Sequence, residues 1–159
     1  MRDSKAFNWR WLDGGLDHPD VINLLSEHQD RMAEHSPEKS RHVLDVKALQ
    51  GVGITFWSLW DGDELMGCVA LKQWSRQLGE LKSMKTSPAY IRRGVGNHLL
   101  KHVIAVAKQR GYQQLKLETG SMAYFEPARQ LYKKMGFIDC GPFGDYVTDP
   151  SNVFMCLEM

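Results

Sequence analysis

The alternation of apolar and polar residues changes period several times along the chain, and each change marks an element. Residues 7–13 form a short strand closed by Asp13-Gly14-Gly15. Asp17 is placed to cap a helix that tolerates Pro19 in its first turn; Val21, Leu24, Leu25, His28 and Met32 mark its apolar side, and Ser36-Pro37 ends it. A short helix is expected from about Arg41 to Leu49. From Ile54 the period falls to two: Ile54 to Trp60 and Glu64 to Lys72 form a hairpin about Asp61-Gly62, and Leu78 to Thr86 adds a third strand.

The second half alternates helix and strand. Gly96, Leu99, Leu100, Val103, Ile104 and Ala107 share one helix face, ending at Arg110-Gly111, before a strand over 113–119. Phe125, Ala128, Leu131, Tyr132 and Met135 mark a further helix, with Gly136 in the position of a C′ glycine. Short strands near 137–140 and 153–158 complete the chain. The pattern is that of an α+β fold in a single domain over 1–159: an antiparallel meander, then a parallel crossover, with helices on both faces of the sheet.

Charge narrows the range of partners. Twenty Lys and Arg against nineteen Asp and Glu leave a net charge of +1 on 159 residues, without a broad basic stripe. Nucleic acid is therefore a poor candidate, and no segment approaches the roughly 20 apolar residues of a membrane span. The start, Met-Arg-Asp-Ser-Lys, leads into no apolar signal core. Cys68, Cys140 and Cys156 are too few and scattered for a disulfide framework, so a cytoplasmic protein is expected. No histidine spacing suggests a metal; His98 and His102 are read as a solvated helix face.

The chemistry concentrates at the strand–turn–helix junction from Met84 to Asn97. The first N–H groups of a helix lack intrahelical acceptors and, with the helix dipole, favour an anion. Gly94 and Gly96 open the backbone, and Arg92 and Arg93 add positive charge, so the junction suits a phosphate or pyrophosphate. It is not a Walker loop, since no Gly-x-x-x-x-Gly-Lys-Ser/Thr is present, nor a dinucleotide fingerprint, because Leu99 takes the place of the third glycine. On the strand before it, strict alternation puts Glu80, Lys82, Met84 and Thr86 on one face and Leu81, Ser83 and Lys85 on the other. Glu80 and Lys82 either line a wet cleft or form an internal pair.

Three segments together resemble the GCN5-related N-acetyltransferase (GNAT) family. Glu80-Leu81-Lys82-Ser83-Met84 through Gly96 is similar to its fourth strand and acetyl-CoA loop, Leu115-x-Leu-Glu-Thr-Gly120 to its fifth strand, and Ala128 to Phe137 to its Ala-x-x-Leu-Tyr-x-x-x-Gly-Phe segment. Two positions depart from the pattern: Ile91 stands where the family has Arg or Gln, and Phe125 where it often has Asn.

The resemblance implies a mixed sheet of six or seven strands that splays between the fourth and fifth. It also implies acetyl-CoA as donor, held by Met84, Lys85 and Thr86 and by Ile91, Arg92, Arg93, Gly94, Val95, Gly96 and Asn97. Transfer to the amine of a small molecule needs a base, for which Glu80 is the candidate, and a proton or hydrogen bond for the departing thiolate, which the resemblance assigns to Tyr132. Periodicity alone equally allows Tyr132 to be a packing residue. For the acceptor, Lys82, Thr119, Gly120, Ser121, Phe125 and His28 are the candidates, with Trp57 as a further wall. A non-catalytic acyl-CoA-binding module on the same fold is the competing reading. A homodimer is expected from the resemblance and from the many apolar residues of strands 54–60 and 153–158, since bare edges of that character are commonly covered.

Overall fold

The computed structural model describes residues 8–27 and 46–159 in full and the backbone of 28–35. Its elements are β1 (Trp9–Asp13), α1 (Pro19–His35), β2 (Ile54–Asp61), β3 (Glu64–Gln73), β4 (Leu78–Thr86), α2 (Val95–Gln109), β5 (Gln114–Gly120), α3 (Glu126–Lys134), β6 (Ile138–Cys140) and β7 (Asn152–Glu158). The expected helix at 41–49 partly lies outside the described residues. Where the chain is described there, it makes only a 3-10 turn, Ala48–Gln50, that buries Leu49.

Among the described residues, seven strands form one sheet in the order β1-β2-β3-β4-β5-β7-β6. β1 to β4 are antiparallel neighbours, while β5 joins β4 in parallel across the α2 crossover. The apolar strands expected to be bare are interior: β1 covers β2, and β6 covers β7. That removes the edge argument for a homodimer.

Each face of the sheet carries its own core. On one, Leu59, Val69, Leu71, Leu81, Leu115, Leu117 and Met155 pack with Val95, Leu99, Leu100 and Val103 of α2 and with Tyr132 of α3. On the other, Phe56, Trp60, Cys68 and Ala70 meet Val21, Leu24 and Leu25 of α1. Trp57, expected as a wall of the acceptor site, is buried in the first core. The two helix histidines are not solvated as expected. His98 stacks on Trp9 at 4.3 Å, and His102 lies against Trp11 at 4.0 Å and Trp57 at 4.8 Å. Aromatic residues of β1 and β2 find flat partners on α2, a contact between distant segments that helix periodicity does not encode.

β4 departs from strict alternation. Its register with β3 runs Ala70↔Lys82 and then Cys68↔Lys85, so Ser83 and Met84 together face Val69 alone. Ser83 makes this bulge with φ 52°, a left-handed conformation uncommon for a side-chain-bearing residue. The extra residue shifts the alternation. Glu80, Lys82 and Lys85 lie on the α1 face, whereas Met84 and Thr86 join Leu81 on the α2 face. The single face expected for Glu80, Lys82, Met84 and Thr86 is thereby divided.

Candidate functional site

β4 and β5 pair only from Leu78↔Gln114 to Glu80↔Lys116. Beyond that point the strands diverge, and a cleft of about 520 Å³ opens on the α2–α3 side. One wall is Met84, Lys85 and Thr86; the floor runs from Ile91 and Arg92 through Gly94, Val95, Gly96 and Asn97; Phe125, Ala128, Leu131 and Tyr132 close the opposite side. Of the residues expected to hold the donor, Arg93 alone is not in the lining. Its guanidinium lies 6.0 Å from the Tyr90 ring. The charge at the turn therefore comes from Arg92, which holds a left-handed φ of 65°.

The chemistry of the floor follows from how α2 begins. Gly94 caps the helix with φ 86°, and no side chain accepts from its first turn. His98 N–H bonds to the Gly94 carbonyl at 3.0 Å, so the N–H groups of Val95, Gly96 and Asn97 precede any intrahelical acceptor. A Cβ at Gly96 would stand 3.2 Å from Leu131 and 3.8 Å from Thr86 Oγ1, inside the cleft. The Ser83 hydroxyl at the bulge is buried without a partner among the described residues. An elongated ligand with an anionic middle fits these features: its charge meets the helix end, and its uncharged arm follows the open edge of β4.

A polar network occupies the other face. Glu80 is 2% exposed, and both of its carboxylate oxygens are engaged. Trp74 Nε1–H donates to Oε1 at 2.8 Å. Oε2 accepts from the Tyr146 hydroxyl at 2.6 Å and from Lys82 Nζ at 3.3 Å. Lys82 also donates to the Tyr146 oxygen at 2.7 Å. The internal Glu80–Lys82 pair therefore exists, extended by two aromatic partners. A carboxylate this enclosed is an anchor: a buried charge is tolerated only when its acceptor sites are filled, and here they are. Burial, followed by the Glu80 charge and its hydrogen bond, holds the Tyr146 hydroxyl far above its ordinary range.

Glu118, which no sequence motif marks as a base, lies on the same face. The register Glu80↔Lys116 carries Lys82 and Glu118 forward to opposite sides of the opening. Burial pushes the Glu118 carboxyl up to about 8; the Lys82 ammonium opposes the rise and the Glu80 carboxylate adds to it. Its charge also reaches Tyr132 on α3. Burial, and then Glu118, raise the Tyr132 hydroxyl, which stays a neutral O–H donor.

The expected acceptor residues are dispersed. Thr119 is buried on the Leu117 side of β5, and its partner Val153 packs into the α2-face core. Gly120 lies under the Phe125 ring, which itself lines the donor cleft. Ser121 Oγ donates to the Pro150 carbonyl at 2.7 Å. Lys82 is held as described, and the His28 side chain falls outside the described residues. Tyr146 and Trp74 were missed because they reach Glu80 only through tertiary contact. Among the described residues no cluster of His, Cys, Asp or Glu could hold a metal ion.

Comparison with known proteins agrees with this geometry. Residues 20–137 match the acetyltransferase (GNAT) family. The chain is 53% identical to the uncharacterized N-acetyltransferase YsnE of Bacillus subtilis, over 87% of this chain and 92% of that protein. It is 46% identical to the uncharacterized N-acetyltransferase YedL of Escherichia coli, over 91% of each. An acetyltransferase of known structure from Streptococcus agalactiae superposes with a TM-score of 0.75 at 16% identity, covering 95% of this chain and 98% of that one, which shows the shared fold. Splayed strands, a glycine-opened helix end and these relatives make the chain a member of the GNAT family and an acetyl-CoA-dependent N-acetyltransferase.

Proposed function

We propose that the acceptor is the amine of a small molecule, which approaches the thioester from the α1 face of the splay. The observation that carries this reading is the division made by the Ser83 bulge. Met84 and Thr86 lie on the face of the donor cleft, while Lys82 and Glu118 lie on the other. Acetyl-CoA supplies an acyl group activated as a thioester. The N–H groups of Val95 to Asn97, with Arg92, hold its pyrophosphate, and the exposed edge of β4 at Met84 to Thr86 orients the pantetheine arm.

Tyr132 is buried on the donor side and keeps its proton, so its hydroxyl is the group that donates to the departing sulfur. A relative named IAA acetyltransferase, from Azospirillum brasilense, is 33% identical over 85% of this chain and 88% of its own length. A relative named streptothricin acetyltransferase, from Streptomyces lavendulae, is 32% identical over about half of this chain. Both names support a small-molecule acceptor. Because Glu80 neutralises Lys82, the reason to expect an amino-acid carboxylate there is lost. The free thiols Cys68, Cys140 and Cys156 support a cytoplasmic setting.

The test is a thiol-release screen of small amines with acetyl-CoA, run beside calorimetric binding of acetyl-CoA. Turnover with at least one amine supports the reading. Tight binding without turnover of any amine would favour the non-catalytic module instead.

A further inference from the structure

We infer that Glu118 is the group that takes the proton from the acceptor's ammonium, and that Glu80 is a positioning residue that holds Lys82 and Tyr146 around it. This deepens the proposed amine acetylation and rests on it. Glu80 occupies the place on the fourth strand where a base was expected, yet it is 2% exposed and its oxygens receive three donors, from Trp74, Lys82 and Tyr146. Accepting a further proton would break that network and leave Lys82 buried without its counter-ion. Glu118 has the complementary placement. It is half-buried, it stands on β5 two residues beyond Lys116, the last position at which that strand pairs with β4, and the register sets it across the opening from Lys82.

The titratable groups whose charges are coupled to Glu118 are Lys82 and Glu80 from β4, Tyr132 from α3 and Tyr146 from the segment before β7. Lys82 favours the carboxylate form of Glu118; burial and Glu80 favour the acid. The opposition leaves Glu118 able to change state at about 8, where a base for an alkylammonium is useful.

The proton balance is closed by named groups. One proton passes from the acceptor nitrogen to Glu118, which frees the lone pair. The nitrogen then forms the C–N bond as the C–S bond breaks, and the electron pair leaves on sulfur. Sulfur is protonated at the Tyr132 hydroxyl, and the nitrogen's second proton restores that hydroxyl. The proton left on Glu118 is released to solvent, so one proton is released per turnover.

Two measurements test this. The first needs no activity: carbon-13 NMR of glutamate-labelled protein, with Glu118→Gln to assign the signal, should show the Glu118 carboxyl titrating near 8. A midpoint in the ordinary range near 4.5 overturns the inference. The second is the pH profile of kcat/KM with an accepted amine. The wild type should show a limb rising through the Glu118 midpoint. Glu118→Gln should lose that limb and about 10²–10⁴ of the rate at neutral pH, with acetyl-CoA affinity and melting temperature kept. Glu118→Asp should recover part of the rate, and Glu80→Gln should lower it while keeping the limb. An unchanged limb in Glu118→Gln overturns the inference and leaves amine acetylation standing. A wild type that turns over no amine overturns both, whatever the NMR midpoint.

Discussion

The Tyr146 hydroxyl donates to Glu80 Oε2 at 2.6 Å across 66 positions of sequence, and the same oxygen of Tyr146 accepts from Lys82 at 2.7 Å. One phenol thus completes the solvation of a buried ion pair. It also ties the segment before β7 to the strand that borders the opening, so the shape of the acceptor side and the stability of the sheet depend on the same atoms.

Tyr146→Phe should therefore destabilise the fold while keeping the ring contacts with Phe143 at 5.1 Å and Phe154 at 5.7 Å. Glu80 and Lys82 each lose a partner in a buried setting, and the expected loss is about 1–3 kcal/mol. Urea unfolding, read as a shift in midpoint at constant slope, measures it.

Gly96→Asp should raise the Kd for acetyl-CoA more than Gly96→Ala. Alanine adds one methyl 3.2 Å from Leu131, a contact that a leucine tip can relieve. Aspartate adds a negative charge where the helix end and Arg92 are set to receive pyrophosphate. Calorimetry should show a loss that is partly screened by salt for Arg92→Ala and nearly complete for the aspartate variant.

Tyr132→Phe keeps the packing of a 6% exposed ring and deletes only the hydroxyl. Melting temperature and acetyl-CoA affinity should change little, while kcat should fall by about 10- to 1000-fold. Raising the pH should not rescue it, since the missing group is a donor to sulfur. Near-wild-type turnover would remove Tyr132 from the chemistry.

His98 and His102 make stability depend on pH. Burial lowers the pKa of both below the ordinary 6.5, with Lys101 adding to the effect at His98; at His102 the Asp13 charge opposes it and His98 adds to it. The unfolded chain binds protons at a higher pH than the folded one, so stability is full above 6.5 and declines as pH falls through the folded pKa values. Thermal melts from pH 7.5 to 5 should show this slope, and a His98→Gln, His102→Gln pair should flatten it.

Gly120→Ala should be poorly tolerated. An added Cβ would lie 2.1 Å from the Phe125 ring, which would have to swing out of its place beside the donor cleft. A loss of about 1–3 kcal/mol is expected from such overpacking, with weaker acetyl-CoA binding as a second readout.

The elements were legible from sequence because their signals are local. The hairpin at Asp61-Gly62, the span of β4, the α2 stripe from Gly96 to Ala107 and the ends of α1 all follow from periodicity and from turn or capping residues within a few positions. So did the anion-binding turn, because a helix end and the glycines that open it are contiguous. What tertiary structure alone decided was which face each side chain serves. Strict alternation put Met84 and Thr86 with Glu80 and Lys82; the bulge at Ser83 separates them, and a bulge depends on the pairing partner, not on the strand's own pattern. Likewise, the carboxylate of Glu80 is enclosed by Trp74 and Tyr146, while that of Glu118 lies where two strands part. Those states are set by desolvation and charge among residues brought together from β4, β5 and the segment before β7, and no short stretch of the chain contains them.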